Sequence, residues 1–272
     1  MNTGIEKIKQ AVARAKLQVL TEAEPLPPPK ATFTVSARGK NSDTPVLAFL
    51  RKEYGNVPLR EVDSLFGFAE RSTLYGGRAF SQRELSERDV FQLNSAGIGV
   101  RLPMSNHFVE RAEYEANLPL LDKYHRAGNS IIVTNDDLAR WIQQDFPSYH
   151  VDASVIKNSK THKKIDKALN LYDSVVLPMH LNEDFEFLEK IEAKERITLF
   201  ANAGCALTCP SKLCYRSFSK MNKGKRGEFQ CALMFKGREM KGMVDYPLQP
   251  YIDLGFHRFK LLRSLPSGLT GY

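Results

Sequence analysis

Cys205, Cys209 and Cys214 lie within ten residues of one another in the stretch "NAGCALTCPSKLCY", and Cys231, the last of the chain's four cysteines, follows at the spacing C-x3-C-x4-C-x16-C. Thiolates are soft ligands, and four of them drawn from one loop and a nearby return segment can enclose a single site. Zinc and a 4Fe-4S cluster both accept four cysteines. Structural zinc sites favour short paired hooks such as C-x2-C. The irregular spacing here points instead to an iron-sulfur cluster, with zinc as the alternative and a metal-free cysteine-rich loop as the third reading.

The setting agrees with metal ligation. At 272 residues and 42% hydrophobic, the chain can bury a large core without disulfides, and its length suits a single α/β barrel of about 250 residues. No opening segment reads as a secretory signal, and no apolar run approaches the roughly 18 to 20 residues needed to span a bilayer. A cytoplasmic protein with no membrane partner is therefore expected, and in that compartment clustered thiols serve metals or catalysis rather than disulfides. The net charge of +8 favours an anionic partner, either RNA or a phosphorylated small molecule. Its densest runs are "KNSKTHKK", "SKMNKGKRG" and "KGREMKG", two of which adjoin the cysteines.

The elements that must carry these cysteines are legible as alternating segments. Ile5, Ile8, Val12 and Ala15 share a face, so a helix is expected over residues 4 to 22, closed by "PLPPPK". Residues 25 to 44 show no periodicity and read as a linker, so the division is 1–43 as N-terminal helix and linker and 44–272 as the main domain. Strands are expected at "EVDSLFG", "GIGVRLPM", "SIIVTN", "YHVDASVI", "SVVLPM", "ITLFANA", "YIDLG" and "HRFKLL". Between them lie amphipathic helices such as "SERDVFQLNSAG", "RAEYEANLPLLDKYHRAG", "DDLARWIQQDF" and "NEDFEFLEKIEAK". Eight strands alternating with helices predict a (β/α)8 TIM-like barrel, with the cysteines in the loop after strand six. Only ten residues follow "HRFKLL", and their proline and glycine argue that the last helix is missing.

In such a barrel chemistry belongs to the C-terminal ends of the strands. His180 and Asn202 fall there as candidate catalytic residues, and Asn106, Asn135 and Ser154 as candidate substrate-binding groups. Asn135 and Asn182 have helix capping as their competing role. Lys212, Arg216, Lys220 and Lys223 would draw an anionic substrate toward the cysteines.

The segments "YDSVVLPMHLNEDFEFLEKI", "RITLFANAGCALTCPSKLCYRS" and "GFHRFKLLR" resemble the later strands of the U32 collagenase-like peptidase family. "LYGGRAF", "GIGVRLPMSN" and "IIVTNDDLARWIQQDFPSYHVDASVIKN" are similar to a bacterial and phage branch of these barrels, so the likeness spans roughly residues 45 to 265. Several members of that family bind an iron-sulfur cluster through four cysteines and take part in oxygen-independent hydroxylation of RNA or a ubiquinone precursor. The resemblance implies Cys205, Cys209, Cys214 and Cys231 as the corresponding ligands. It departs from the family pattern at His180, where a glutamate is usual, and at "FKLLRS" in place of "FKIEGR".

Two function classes follow. One is an iron-sulfur barrel enzyme modifying, by hydroxylation, a nucleic acid or a small anionic or aromatic substrate. The other is a non-catalytic, metal-stabilised binding protein for nucleic acid or a protein partner. A radical S-adenosylmethionine enzyme would carry C-x3-C-x2-C after the first strand, and a peptidase would need a nucleophile elbow or an H-E-x-x-H helix, which the sequence lacks; both rank lower. Because the last helix is missing, the helix at 4 to 22 is expected to cover that side of the barrel, and deleting residues 1 to 30 should lower the melting temperature.

Overall fold

The computed structural model describes residues 29–209, 211–225, 227, 229–232 and 242–264. The helix expected over 4–22 and residues 265–272 lie outside them. A boundary falls at Lys30, with Ala31 opening the unit that holds the barrel.

Eight parallel strands close on themselves: β1 (Thr32–Ser36), β2 (Val62–Phe66), β3 (Gly99–Leu102), β4 (Ser130–Val133), β5 (His150–Ala153), β6 (Ser174–Val176), β7 (Ile197–Phe200) and β10 (Arg258–Leu261). Closure is made by β10 between β7 and β1, with Thr34 opposite Lys260 and Phe200 opposite Lys260 on the other side. The TIM-like barrel expected from the sequence is the fold observed. Two strand assignments exchange. "TFTVS", placed in the linker by its proline-rich neighbourhood, is β1, so the barrel begins well before Thr44. "YIDLG" lies in the helix Gln249–Asp253 and its C-terminal turn. The cysteine loop consequently follows the seventh barrel strand, not the sixth.

Helices follow the strands as their caps predict. Ser86 and Asp89 form a reciprocal capping box on Glu87–Ser95, and the Asn135 side chain accepts from the Leu138 amide at the start of Asp136–Asp145. "RAEYEANLPLLDKYHRAG" forms two short helices, Arg111–Ala116 and Leu118–Lys123, broken at Asn117 ahead of Pro119. Beyond β7 the chain leaves the barrel through β8 (Asn202–Ala203), which pairs antiparallel with β9 (Val244–Asp245). That ribbon brackets the cysteine-bearing excursion, including the helix Cys214–Asn222.

Alternate strand residues face opposite sides of the barrel wall. The outward set, including Val35, Leu65, Val100, Ile131, Val151 and Leu199, packs under the helices as the main apolar core. The inward set is different. Ile132, Val176 and Phe200 form a small apolar layer with Met179 and Ala203, but beneath it lie Thr34, Ser64, Arg101, Ser130, Asp152, Ser174 and Thr198, all buried. Arg101 is 1% exposed and Asp152 fully buried. Arg101 Nε donates to Ser130 Oγ at 2.8 Å and stands 3.2 Å from Asp152 Oδ2, Ser174 Oγ donates to Asp152 Oδ1, and Arg258 Nη2 lies 3.8 Å from Asp152 Oδ1. Burial alone would raise the Asp152 carboxyl, but Arg101, with His150 and Arg258, outweighs it and holds the group well below the usual carboxylate range.

Removing one partner of a buried pair strands the other, at a cost of about 3 to 5 kcal/mol. Asp152→Asn should lower stability by that order in denaturant titrations, and the double variant Arg101→Met with Asp152→Asn should recover part of it. Because the folded carboxyl titrates below the unfolded one, its stabilisation is present above about pH 3.9 and is lost as the pH falls through the lower folded value. The gap between wild type and Asp152→Asn should therefore narrow in acid.

Candidate functional site

The C-terminal ends of the strands surround a cavity of about 100 Å³. Its wall takes Ser36 from β1, Phe66 from β2, Ile132 from β4, Ser154 after β5, Phe200 from β7 and Lys260 from β10. Arg38, Arg78 and Arg263 complete a rim of cations, and no carboxylate lines the cavity among the described residues. Two of these arginines are fixed from outside it. Arg78 makes a two-pronged contact with Glu84, and Arg263 Nε donates to Glu53 Oε2 at 2.7 Å while its Nη1 donates to the Arg38 carbonyl. The loop that delivers Arg78 crosses the Ser105–Asn106 backbone at Gly76, where a Cβ would come within 2.2 Å of the Ser105 carbonyl oxygen, and Gly77 then turns with φ +77°. Side chains are excluded there by contact at the first glycine and by backbone conformation at the second.

Lys260 is the residue that sequence reasoning missed. It is 7% exposed, with Nζ 4.2 Å from the Phe66 ring centroid and 5.9 Å from that of Phe200. The ring faces favour the ammonium by about 1 to 2 kcal/mol. Burial, with Arg101 beneath and Arg78 above, disfavours it more strongly, and the distant help of Asp152 does not restore the balance. The amine is pulled down to about 7. Among the described residues no carboxylate reaches Nζ as an ion-pair partner.

The cysteines occupy the adjoining excursion. Cys214 opens its helix, and the segment holding Cys231 is pinned to that helix by the Gln230 amide donating to Ser217 Oγ at 3.1 Å and by Phe229 packing on Phe218 at 4.9 Å between centroids. Lys212, left-handed at φ +51°, aims its backbone N–H at Cys209 Sγ, 3.3 Å away. Burial pushes the Cys214 thiol up to about 12, with the charges of Cys231, Cys209 and Cys205 adding to the rise. All three thus lie within electrostatic reach of Cys214. The grouping is loose, however: among the described residues no three or more His, Cys, Asp or Glu side chains stand close enough to share one ion. The two facts are compatible, since electrostatic influence extends well beyond the ~2.3 Å reach of a metal–sulfur bond.

A second cavity, of about 500 Å³, brings Cys209 together with His180, Lys212, Arg216, His107 and Lys160. Tyr215 and Ile156 line both cavities and stand between them. Burial and the nearby Lys212 lower the His180 pKa, favouring the neutral imidazole. Other expected site residues have structural duties. Asn202 spends its amide on Leu262, donating to the carbonyl and accepting from the N–H, so it anchors the chain after β10 and does not face the cysteines. Asn106 donates to the carbonyls of Thr73, Tyr75 and Ser219 and accepts from the Phe108 amide. Asn135 caps its helix, whereas Asn182 donates to the Phe200 carbonyl instead of capping. Lys223 pairs with Glu113 at 2.7 Å, and Lys220 is exposed on the cysteine-bearing helix without lining either cavity. Ser154 does line the mouth cavity, with its Oγ accepting from the Ile156 amide.

No family model matches the chain, and no curated protein matches it. Among solved structures the fold is similar to that of the U32 peptidase Mk0906, with a TM-score of 0.60 at 14% identity over 90% of this chain and 96% of that one. The likeness is one of fold, a closed parallel barrel. None of the described helices is long and apolar enough to cross a membrane.

Because Asn106 ties the cysteine-bearing helix to two barrel loops, Asn106→Ala should cost about 2 to 3 kcal/mol in thermal or chemical unfolding. The same variant should raise the rate at which an aromatic disulfide reagent labels Cys214, as the helix loosens from the mouth.

Proposed function

We propose that this chain is an iron-sulfur barrel enzyme of the U32-like type, acting on an anionic substrate held at the C-terminal mouth. The observation that carries the proposal is that Cys205, Cys209 and Cys231 all lie within electrostatic reach of Cys214, in an excursion whose Tyr215 lines a cavity rimmed by Arg38, Arg78, Lys260 and Arg263. The donor set suits a cluster: four thiols, one of them already accepting an N–H from the Lys212 backbone, as cluster sulfurs commonly do. Burial and the neighbouring cysteines hold Cys214 as a thiol, and a bound metal core would reverse that cost by supplying the compensating charge.

Cys205, Cys209, Cys214 and Cys231 would hold the group. When bound, it would supply one-electron chemistry or a Lewis-acidic iron. The remaining work falls to the chain. The arginines orient an anion by charge and hydrogen bonding. Phe66, Ile132, Met179 and Phe200 exclude water from the cavity floor and offer an apolar or aromatic portion of the substrate a surface. Lys212 and Arg216, which line the second cavity with His180, extend the positive field outward and suit a phosphorylated small molecule or an RNA strand, and hydroxylation is the reaction we favour for such a substrate. Zinc in the same four cysteines, a donor set it also accepts, would fasten a loop for binding alone and is the second reading.

Anaerobic reconstitution with ferrous iron and sulfide separates the two. A brown protein absorbing at about 400 nm, with iron and sulfide in equal amounts, is expected; Cys209→Ala and Cys231→Ala should each lose most of that absorbance. Colourless protein that retains one zinc per chain would sink the enzyme reading in favour of the binding protein.

A further inference from the structure

The floor of the mouth cavity holds a primary amine in an arrangement that anion binding alone does not call for. A lysine that merely attracts an anion works best exposed and fully charged. Lys260 is instead buried at the end of β10, against the faces of Phe66 and Phe200, and directed to the cavity that it lines. The charged groups facing it are Arg101 from β3 and Arg78 from the loop after β2, both repelling a second cation, and Asp152 from β5, which is engaged by Arg101 and Arg258. Arg38 and Arg263 stand on the rim of the same cavity.

We propose that Lys260 is a nucleophilic amine that captures a small carbonyl-bearing anion, an aldehyde or ketone that also carries a carboxylate or phosphate, as an imine. The lone pair of the neutral amine forms the C–N bond as the carbonyl oxygen takes up a proton from solvent. A second proton passes to that oxygen from the nitrogen, its loss as water leaves the protonated imine, and no oxidant or reductant is required. Arg38, Arg78 and Arg263 receive the anionic end, while the hydroxyls of Ser36 and Ser154, on the same wall, are placed to hydrogen-bond the departing oxygen. The apolar floor formed by Ile132, Met179 and Phe200 keeps bulk water from the imine once it forms. The amine, held near 7, is substantially neutral at physiological pH, which an ordinary surface lysine is not. The site needs only the cavity, so its standing is separate from that of the cluster.

Trapping with cyanoborohydride tests it on the full chain as purified, with glyoxylate as the anionic probe and acetaldehyde as a neutral control of similar size. The expected result is a single reduced adduct per chain, mapped by peptide mass to Lys260, formed faster from glyoxylate than from acetaldehyde. Its rate should rise from about pH 6 to about pH 8 and then level. Lys260→Arg, which removes the primary amine and keeps a long polar side chain, should lose the adduct while retaining the circular dichroism of the wild type. Peptide mapping in the wild type decides the matter even if that variant fails to fold. Labelling spread over surface lysines, glyoxylate binding without any trapped adduct, or an adduct that persists in Lys260→Arg would each overturn the proposal.

Discussion

Inside the barrel Arg101 and Asp152 face one another across a lumen that apolar side chains would ordinarily fill. Two charges cannot be left in such a place singly, because each loses its hydration and gains nothing in return. Together, and with Ser130, Ser174 and Arg258 taking up further hydrogen-bonding and charge capacity, they make the lower interior a polar layer held by β3, β4, β5, β6 and β10. The strands are thereby fixed in register from within as well as by the helices outside. What the pair contributes is placement: the carboxylate is committed to the guanidinium and is not available to the next charge above it.

That next charge is Lys260, and its character follows from its burial and from the layer below. Burial is the largest influence drawing the amine down; Arg101 beneath adds to it, Asp152, engaged by Arg101 and Arg258, offsets part of it, and Arg78 repels a second cation from the rim. Phe66 and Phe200 soften this repulsion without reversing it. The mouth of the barrel therefore combines a ring of guanidiniums that stay charged with one amine that sheds its proton readily, and the two kinds of group have different uses.

The cysteine excursion is attached to this mouth by ordinary polar contacts. Asn106 and Asn222 reach from either side of the junction to backbone carbonyls of the loop after β2, Asn106 also reaching the Ser219 carbonyl, and Tyr215 stands with Ile156 between the mouth cavity and the one lined by Cys209 and His180. Several asparagines that stand at strand ends, where substrate contacts are expected, are consumed in this joinery. Their amides carry two N–H donors for backbone carbonyls and an oxygen that accepts from backbone N–H groups, whereas a carboxylate only accepts and a hydroxyl has one proton to give. A polar residue at the right end of a barrel strand is thus ambiguous until its partners are known, and Asn202 and Asn106 resolved toward structure.

The sequence by itself determined the barrel, most of its strands and the gathering of the cysteines. Strands buried on both faces read as short apolar runs, helices announce their starts through caps such as Ser86 and Asn135, and cysteines ten residues apart stay neighbours whatever the fold does. Tertiary structure decided the rest. "TFTVS" alternates hydroxyl and apolar residues beside a proline-rich stretch and looks like an exposed arm, yet its Thr34 points at Ser64 and Lys260 inside the closed wall. "HRFKLL" reads as a half-solvated strand, with Arg258 and Lys260 on its wet side. Only closure of β10 between β7 and β1 turns that side inward. No local pattern distinguishes a lysine facing water from one facing a barrel lumen, because the difference lies in which strands meet across the gap, and that is settled by the whole circuit of the sheet.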